Sequence, residues 1–288
     1  MALFEMIKYH SKHYPQDIPL RIEEIAAHFD VETLGNSPLL HSLHTEYSFF
    51  ERKFGTILIS KYPELVAAQK NGIPQLWKNE EWELQFARFI IDLNGEKPNP
   101  VTIEIHPPFN DYTNIKGFVQ SYKVFEKTIF EQFPDVEILI ENRCGSLYRG
   151  GKFVISKIND IVELCKEIEQ SGIQLKIAYD VPQIYTAHNS KTEESYLGLL
   201  NQTKIFRSYI GGVHLWGKKQ SATGRFVAHN GDLNSYFGNK EIKKHYLEAF
   251  AACFDDGIIR KMVLEVNSSN ADLLSIISDL KEVGIRFV

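Results

Sequence analysis

The 288-residue sequence predicts a single α/β domain, a (β/α)8 barrel of TIM type running from residue 1 to residue 288. Three observations predict it. From residue 101 onward, an apolar strand pattern is followed by a helical pattern five times over. Three further strand patterns precede residue 101, which brings the total to the eight that close a barrel. Six of the strand patterns end on a histidine or a carboxylate. Strand and helix in repeated alternation mean parallel strands joined by crossover helices.

The first unit is VTIEIH, where Val101, Ile103 and Ile105 alternate with Thr102, Glu104 and His106 at a strand's period of two. Pro107 and Pro108 then stop the ladder, and FVQSYKVFEKTIFEQF reads as a helix. VEILIEN leads to DIVELCKEIEQSG, whose Gly172 suits a helix C-cap. LKIAYD leads to SYLGLLNQT; YIGGVHLW leads, after a long loop, to KEIKKHYLEAFAACF; KMVLEVN leads to ADLLSIISDLKEVG. Before residue 101, FEMIKYH, HFDVETL and LLHSLHTEY read as strands, and ELVAAQK and NEEWELQFARFIIDL as helices. HFDVETL and LLHSLHTEY lie too close together for an ordinary crossover helix. The first third is therefore expected to be irregular, with a helix missing or one of the two strands misassigned.

The hydrophobic fraction of 43% supports a substantial core. Net charge is −5, which argues against broad attraction to nucleic acid but leaves a local basic cleft open. Cys144, Cys165 and Cys253 form no C-x-x-C pair, so a disulfide framework or a thiolate zinc site is not expected, and a reducing cytoplasm fits. No apolar run reaches membrane-spanning length, and the N-terminal stretch has no signal-type apolar region.

The residues closing the strands carry the chemistry. LLHSLH ends at His44, VTIEIH at His106, VEILIE at Glu141, LKIAYD at Asp180, YIGGVH at His214 and KMVLE at Glu265. In a parallel barrel all strand C-termini meet at one face, so these six side chains should surround one point. A lone histidine or aspartate at a strand end is more often a hydrogen-bonded core residue than a ligand. Three carboxylates buried together without cations would, however, cost several kcal/mol each, on the order of the desolvation penalties known for buried ions. Three imidazoles and three carboxylates with no thiolate suit zinc, with manganese, magnesium or iron as alternatives. Glu104 shares the inner face of His106, one layer deeper, and would orient a ligand or join a buried ion pair. Gly211 and Gly212 suit close backbone packing or a bulge. GSLYRGGKF departs from a phosphate-loop pattern and reads as a strand-to-helix loop. Trp77 and Trp82 read as packing aromatics on a helix, and Lys218 and Lys219 as either anion-binding or solvated lysines.

With those residues in view, the chain resembles the xylose-isomerase-like TIM barrels, and within them the endonuclease IV (apurinic endonuclease family 2) group. The resemblance rests on SLHTEYS, EIHPPF, LIENRCG, AYDVPQ, VHLWGKK and VLEVNSS. It implies that His44 and His106 hold one ion, that Glu141 bridges, and that Asp180, His214 and Glu265 hold a second. The loop HLWGKKQSATGRFVAHNGDL resembles the group's segment after the seventh strand and contains Arg225 and His229, which would neutralise a substrate phosphate. The group's third ion requires ligands where this sequence has Gln183, Val227 and His229, so a third site is not expected. Thr33 to Pro38 leaves no room for the insertion with which the group probes damaged DNA.

Two functions follow as expectations. The first is a two-metal phosphodiester hydrolase, with Glu141, Glu265, Arg225 and His229 acting on a phosphorylated substrate in the barrel mouth. The second is a single-metal (manganese or magnesium) sugar isomerase or epimerase, in which Glu141, Asp180, His214 and Glu265 hold the ion and the two glutamates exchange a proton with the substrate. A multinuclear iron oxidase and a non-catalytic barrel complete the set.

Overall fold

Eight parallel strands form the wall of a closed barrel. They are β1 (Leu3–Lys8), β2 (Ile22–Ala27), β3 (Leu40–Thr45), β4 (Thr102–Ile105), β5 (Glu137–Glu141), β6 (Lys176–Asp180), β7 (Ile210–Leu215) and β8 (Ile259–Leu264). Each pairs with the next, and β8 returns to β1 with Met262 beside Met6. This computed structural model describes residues 1–29, 34, 38–47 and 54–288.

The sequence explains the wall. From β4 to β7 nearly every strand residue is buried, because helices cover the outside and side chains fill the inside. The helices present one apolar stripe each. In α3 (Glu80–Asn94, numbered after the short α1, Thr56–Lys61, and α2, Pro63–Val66), Trp82, Phe86, Ile90 and Leu93 face inward at helical spacing. Asn79 caps α3 by accepting from the Trp82 amide, and Glu80, Glu81 and Glu83 fill its first turn. The remaining helices are α4 (Ile115–Gln132), α5 (Ile158–Ser171), α6 (Val181–Ala187), α7 (Glu193–Thr203), α8 (Leu233–Phe237), α9 (Lys240–Cys253) and α10 (Asn270–Glu282). Gly172 ends α5 at φ 67°, in the left-handed conformation expected of it.

The first third is irregular, as its spacing required. β2 lies on IEEIAA, not on HFDVETL. His28 and Phe29 follow its end, and Asp30 to Thr33 of that expected strand lie outside the described residues, as do Gly35 to Ser37 of the expected short connection. IEEIAA was concealed because its inward residue at the centre is an acid, Glu24, which is 8% exposed. ELVAAQK is helical only through Val66; Ala68–Lys70 pairs instead with Ile73–Pro74 in a small hairpin. Trp77 stands before α3 and not on it, at φ 60°, with its ring buried among Trp82, Phe86 and Phe118. Both readings of the glycine pair hold. The register shifts between Ile177 and Ala178 opposite Gly212, and a Cβ on Gly211 would lie 2.7 Å from Leu139 Cδ2.

Candidate metal centre

Barrel register assembles the centre. His44 sits opposite Glu104 across β3 and β4, and Asp180 opposite His214 across β6 and β7. His106 is one residue past β4, Glu141 closes β5, and Glu265 follows β8 with its amide donating to Leu215 O at 3.0 Å. His106, Glu141, Asp180, His214 and Glu265 are buried, and His44 is half-buried at the cavity floor. The structure thus brings together all six residues closing the strands. The ligand atoms of His44, Glu104, His106 and Glu141 lie within 4.8 Å of one another, and so do those of Glu141, Asp180 and His214. Glu141 belongs to both sets. Glu104 joins the first, and Glu265 stands beside His214 outside the second.

On the His44 side, acceptors face acceptors. His106 Nε2 lies 2.7 Å from Glu141 Oε2 and 3.2 Å from His44 Nε2, while its Nδ1 lies 3.2 Å from the carbonyl of Glu46. A neutral imidazole has one N–H to give. Given to Glu46, it leaves the Nε2 lone pair against a carboxylate; given to Glu141, it leaves Nδ1 against a carbonyl. A doubly protonated ring would satisfy both. Burial opposes that form, with the Arg143 cation adding to it, and their joint effect outweighs Glu141 to hold His106 down to about 3. A cation against Nε2 removes the conflict, so the donor set fits a divalent metal ion. For His44, burial pulls the pKa down, but Glu104 and Glu24 outweigh it and push it up to about 10. Its Nδ1 is 3.5 Å from Glu24 Oε2 and 3.8 Å from Glu104 Oε1.

On the Asp180 side, protein donors are already in place. Asp180 caps α6, accepting from the Gln183 amide at 2.9 Å on Oδ1. Its Oδ2 accepts from Gln183 Nε2 at 2.8 Å and from Trp216 Nε1 at 2.9 Å. Gln183 Nε2 also donates to Glu141 Oε1. Burial and the charges of Glu141 and Glu265 push Asp180 up to about 7. His214 contacts Glu104 Oε2 at 3.0 Å through Nε2, and its Nδ1 is 3.5 Å from Glu265 Oε1. Burial would lower the pKa of His214, but Glu104 and Glu265 raise it well above the ordinary value. Glu265 moves the other way: burial opposes its charge, yet His214 and His229 hold it well below the carboxylate range.

The centre opens into a cavity of about 270 Å³ whose lining includes Glu24, His44, Glu141, Arg143, His229 and Glu265. His229, at φ 58°, stacks on Trp216 with ring centroids 4.4 Å apart and places Nδ1 3.2 Å from Glu265 Oε2. Arg225 is elsewhere. It is exposed beside the hairpin of Lys218–Gln220 and Phe226–Ala228, outside the cavity lining. Val227 is exposed in the same hairpin, while Lys218 lies over the Tyr236 ring at 4.2 Å. The cation at the mouth is Arg143, whose Nη1 donates to Glu141 Oε2 at 2.6 Å and whose guanidinium lies 5.4 Å from the Tyr47 ring.

Sequence reasoning missed Glu24, Arg143 and the bridging role of Gln183. Arg143 carried a signal: two residues beyond Glu141, the strand period keeps it on the inner side. Glu24 carried none once the strand was placed on HFDVETL. For Gln183 the signal was its position three residues past Asp180, where a helix N-terminus turns the side chain back toward its cap.

No protein-family model matches the chain, and no curated protein matches it. Among solved structures, the crystal structure of AsfvAP:AG is similar over 98% of this chain and 98% of that one, at TM-score 0.56 and 12% identity. An AP endonuclease of family 2 from Brucella melitensis is similar over 95% and 97%, at TM-score 0.48 and 10% identity. A xylose isomerase domain protein from Planctomyces limnophilus is similar over 97% and 93%, at TM-score 0.45 and 9% identity. At these identities the likeness is one of fold alone, that of a TIM barrel.

Proposed function

We propose that the chain is a divalent-metal-dependent hydrolase of phosphate esters, phosphodiesters foremost, bound in the barrel mouth. One observation carries this reading: His106 Nε2, His44 Nε2 and Glu141 Oε2 converge with no proton to reconcile His106 with both of its oxygen neighbours. His44, His106 and Glu141 would hold the ion, zinc by the nature of the donors. When bound, the ion supplies Lewis-acid polarisation of a phosphoryl oxygen and an acidified water.

The chain's own groups supply the rest. Trp77 donates from Nε1 to the His106 carbonyl at 2.6 Å and so fixes the segment that carries the imidazole. Arg143, on Glu141, and His229, on Glu265, line the cavity and would neutralise a bound phosphoryl group. Burial pulls the His229 pKa down, but Glu265, with Asp180 and Glu141 behind it, outweighs burial and raises it, which favours a proton at Nδ1 toward Glu265. Nucleic acid is not required by this reading, since among the described residues the cavity lining offers one arginine and the net charge is −5.

A second reading, a sugar isomerase or epimerase, draws on the second ligand set, Glu141, Asp180 and His214, with Glu265 beside it. The two are separated by turnover. Zinc-loaded protein is expected to hydrolyse bis(p-nitrophenyl) phosphate or an abasic-site duplex and to leave a panel of ketoses unchanged. Ketose interconversion without phosphoester hydrolysis would reverse the assignment.

A further inference from the structure

We infer that Gln183 and Arg143 take the place of a second ion at Glu141, so that the centre holds one divalent cation, on its His44–His106 side. The inference rests on the metal-centre reading above and specifies it. A bridging glutamate between two ions must offer one oxygen to each. Here Glu141 Oε1 is taken by the Gln183 amide, and Oε2 carries the Arg143 guanidinium beside His106. An amide nitrogen has two protons, and the two groups that Gln183 Nε2 reaches are the carboxylates of Glu141 and Asp180. It stands between the two acids that the second ion would join. Both Asp180 oxygens already accept, Oδ1 from Gln183 N and Oδ2 from Gln183 Nε2 and Trp216 Nε1.

Charge follows the same division. The second ion would offset the negative charge of the shared glutamate. Arg143, with 12% of its side chain exposed, does so with a permanent cation 2.6 Å from Oε2. Placing an ion between Glu141 and Asp180 would displace the Gln183 amide that now joins them and compete with the Trp216 indole for Asp180 Oδ2. On the His44 side the Arg143 guanidinium meets Glu141 Oε2, which keeps a second lone pair, and the conflict at His106 is relieved by an ion.

The test is stoichiometry. Chelator-stripped full-length protein is titrated with zinc(II) by isothermal calorimetry. Bound zinc is then counted after desalting, and the ion is located by anomalous scattering from a zinc-soaked crystal. One equivalent is expected, with the ion at His44 and His106 and the Gln183 side chain still spanning both acids. Gln183→His, checked for folding by its melting curve, exchanges the two-proton bridge for a ligand and is expected to take a second equivalent. Two equivalents in the unaltered chain, an ion ligated by Gln183 Oε1, or a folded Gln183→His chain still limited to one would each overturn the inference while leaving the metal centre standing. No bound zinc at all would overturn both.

Discussion

The two sides of Glu141 are made of the same residue types and behave oppositely. Toward His44, a buried imidazole has to face a carboxylate at 2.7 Å and a backbone carbonyl at 3.2 Å with one N–H between them. Toward Asp180, an amide, a backbone N–H and an indole N–H meet both oxygens of the Asp180 carboxylate. Similar burial therefore leaves His106 short of a proton on one side and the Asp180 carboxylate matched by donors on the other. The difference teaches that a row of acidic and imidazole residues does not define metal sites. Their protons do, and these depend on neighbours such as Gln183 and Glu46.

The comparison can be broken by substitution, beginning where the effect should be largest. Glu141→Gln removes the charge that belongs to both ligand sets. Zinc uptake and phosphoester turnover should fall by about 1,000-fold or more, as for loss of a directly acting group, measured against a melting curve that shows the chain still folded. Undiminished turnover would remove Glu141 from the centre.

Next come His106→Ala and Asp180→Ala, which should separate the sides. Losing His106 should weaken zinc binding by about 100-fold or more, in line with the effects of disrupting ligand sets. Losing Asp180 should leave zinc affinity within about threefold, yet cost about 2–4 kcal/mol of stability. It strands the Trp216 and Gln183 donors and uncaps α6. Equal losses of zinc affinity in the two variants would erase the distinction.

A smaller effect concerns protons. In the metal-free chain His44 is raised to about 10 and His106 lowered to about 3. Ligation needs both rings unprotonated on the ligating nitrogen. Between pH 6 and 8, roughly, zinc binding should therefore expel about one proton, from His44, with affinity rising about tenfold per pH unit. The buffer dependence of the binding enthalpy reads that number directly. A value near two would mean that His106 also starts protonated and that the conflict at its ring is absent.

The last prediction uses a buried carboxylate far from the centre as the control. Glu83 on α3 is fully buried, neither oxygen has a hydrogen-bond partner among the described residues, and burial raises its pKa to about 8. The folded chain then binds a proton that the unfolded chain, with the ordinary carboxyl value of 4.5, releases. Stability attributable to this group should fall as pH rises from about 4.5 to about 8. Glu83→Gln should be stabilising by about 1–3 kcal/mol at pH 8 and near neutral at pH 4.5, in keeping with the cost of an unpaired buried charge. Denaturant melts at the two pH values decide it. Zinc affinity should not change.

Most of the wall was legible before the structure. VTIEIH, VEILIEN and LKIAYD each alternate around one apolar face, carry a histidine or carboxylate at the strand end, and are followed by a helical pattern, which marks parallel strands with an open C-terminal end. The second strand was not legible, because Glu24 interrupts its apolar face and HFDVETL alternates more cleanly nearby. Trp77 was placed on a helix by its proximity to Trp82, although its φ of 60° excludes it. At the centre, the six ending residues could be named because each closes its own strand. Arg225 was assigned to phosphate by its position in a loop, and a loop's reach is set by how it folds back; the hairpin holds it exposed, and Arg143 faces the cavity instead.

The sequence by itself determined the barrel from residue 101 onward and the six side chains that meet at its mouth, because periodicity and strand ends are local properties that closure merely gathers. Only the tertiary structure decided which of those groups oppose one another without a proton and which are already matched. Hydrogen bonds form between residues distant in the chain, and a displacement of one ångström or so turns a bridging amide into a bystander. The sequence names the acids and the imidazoles; the distances among Glu46, His106, Glu141 and Gln183 settle which of them still lack a partner.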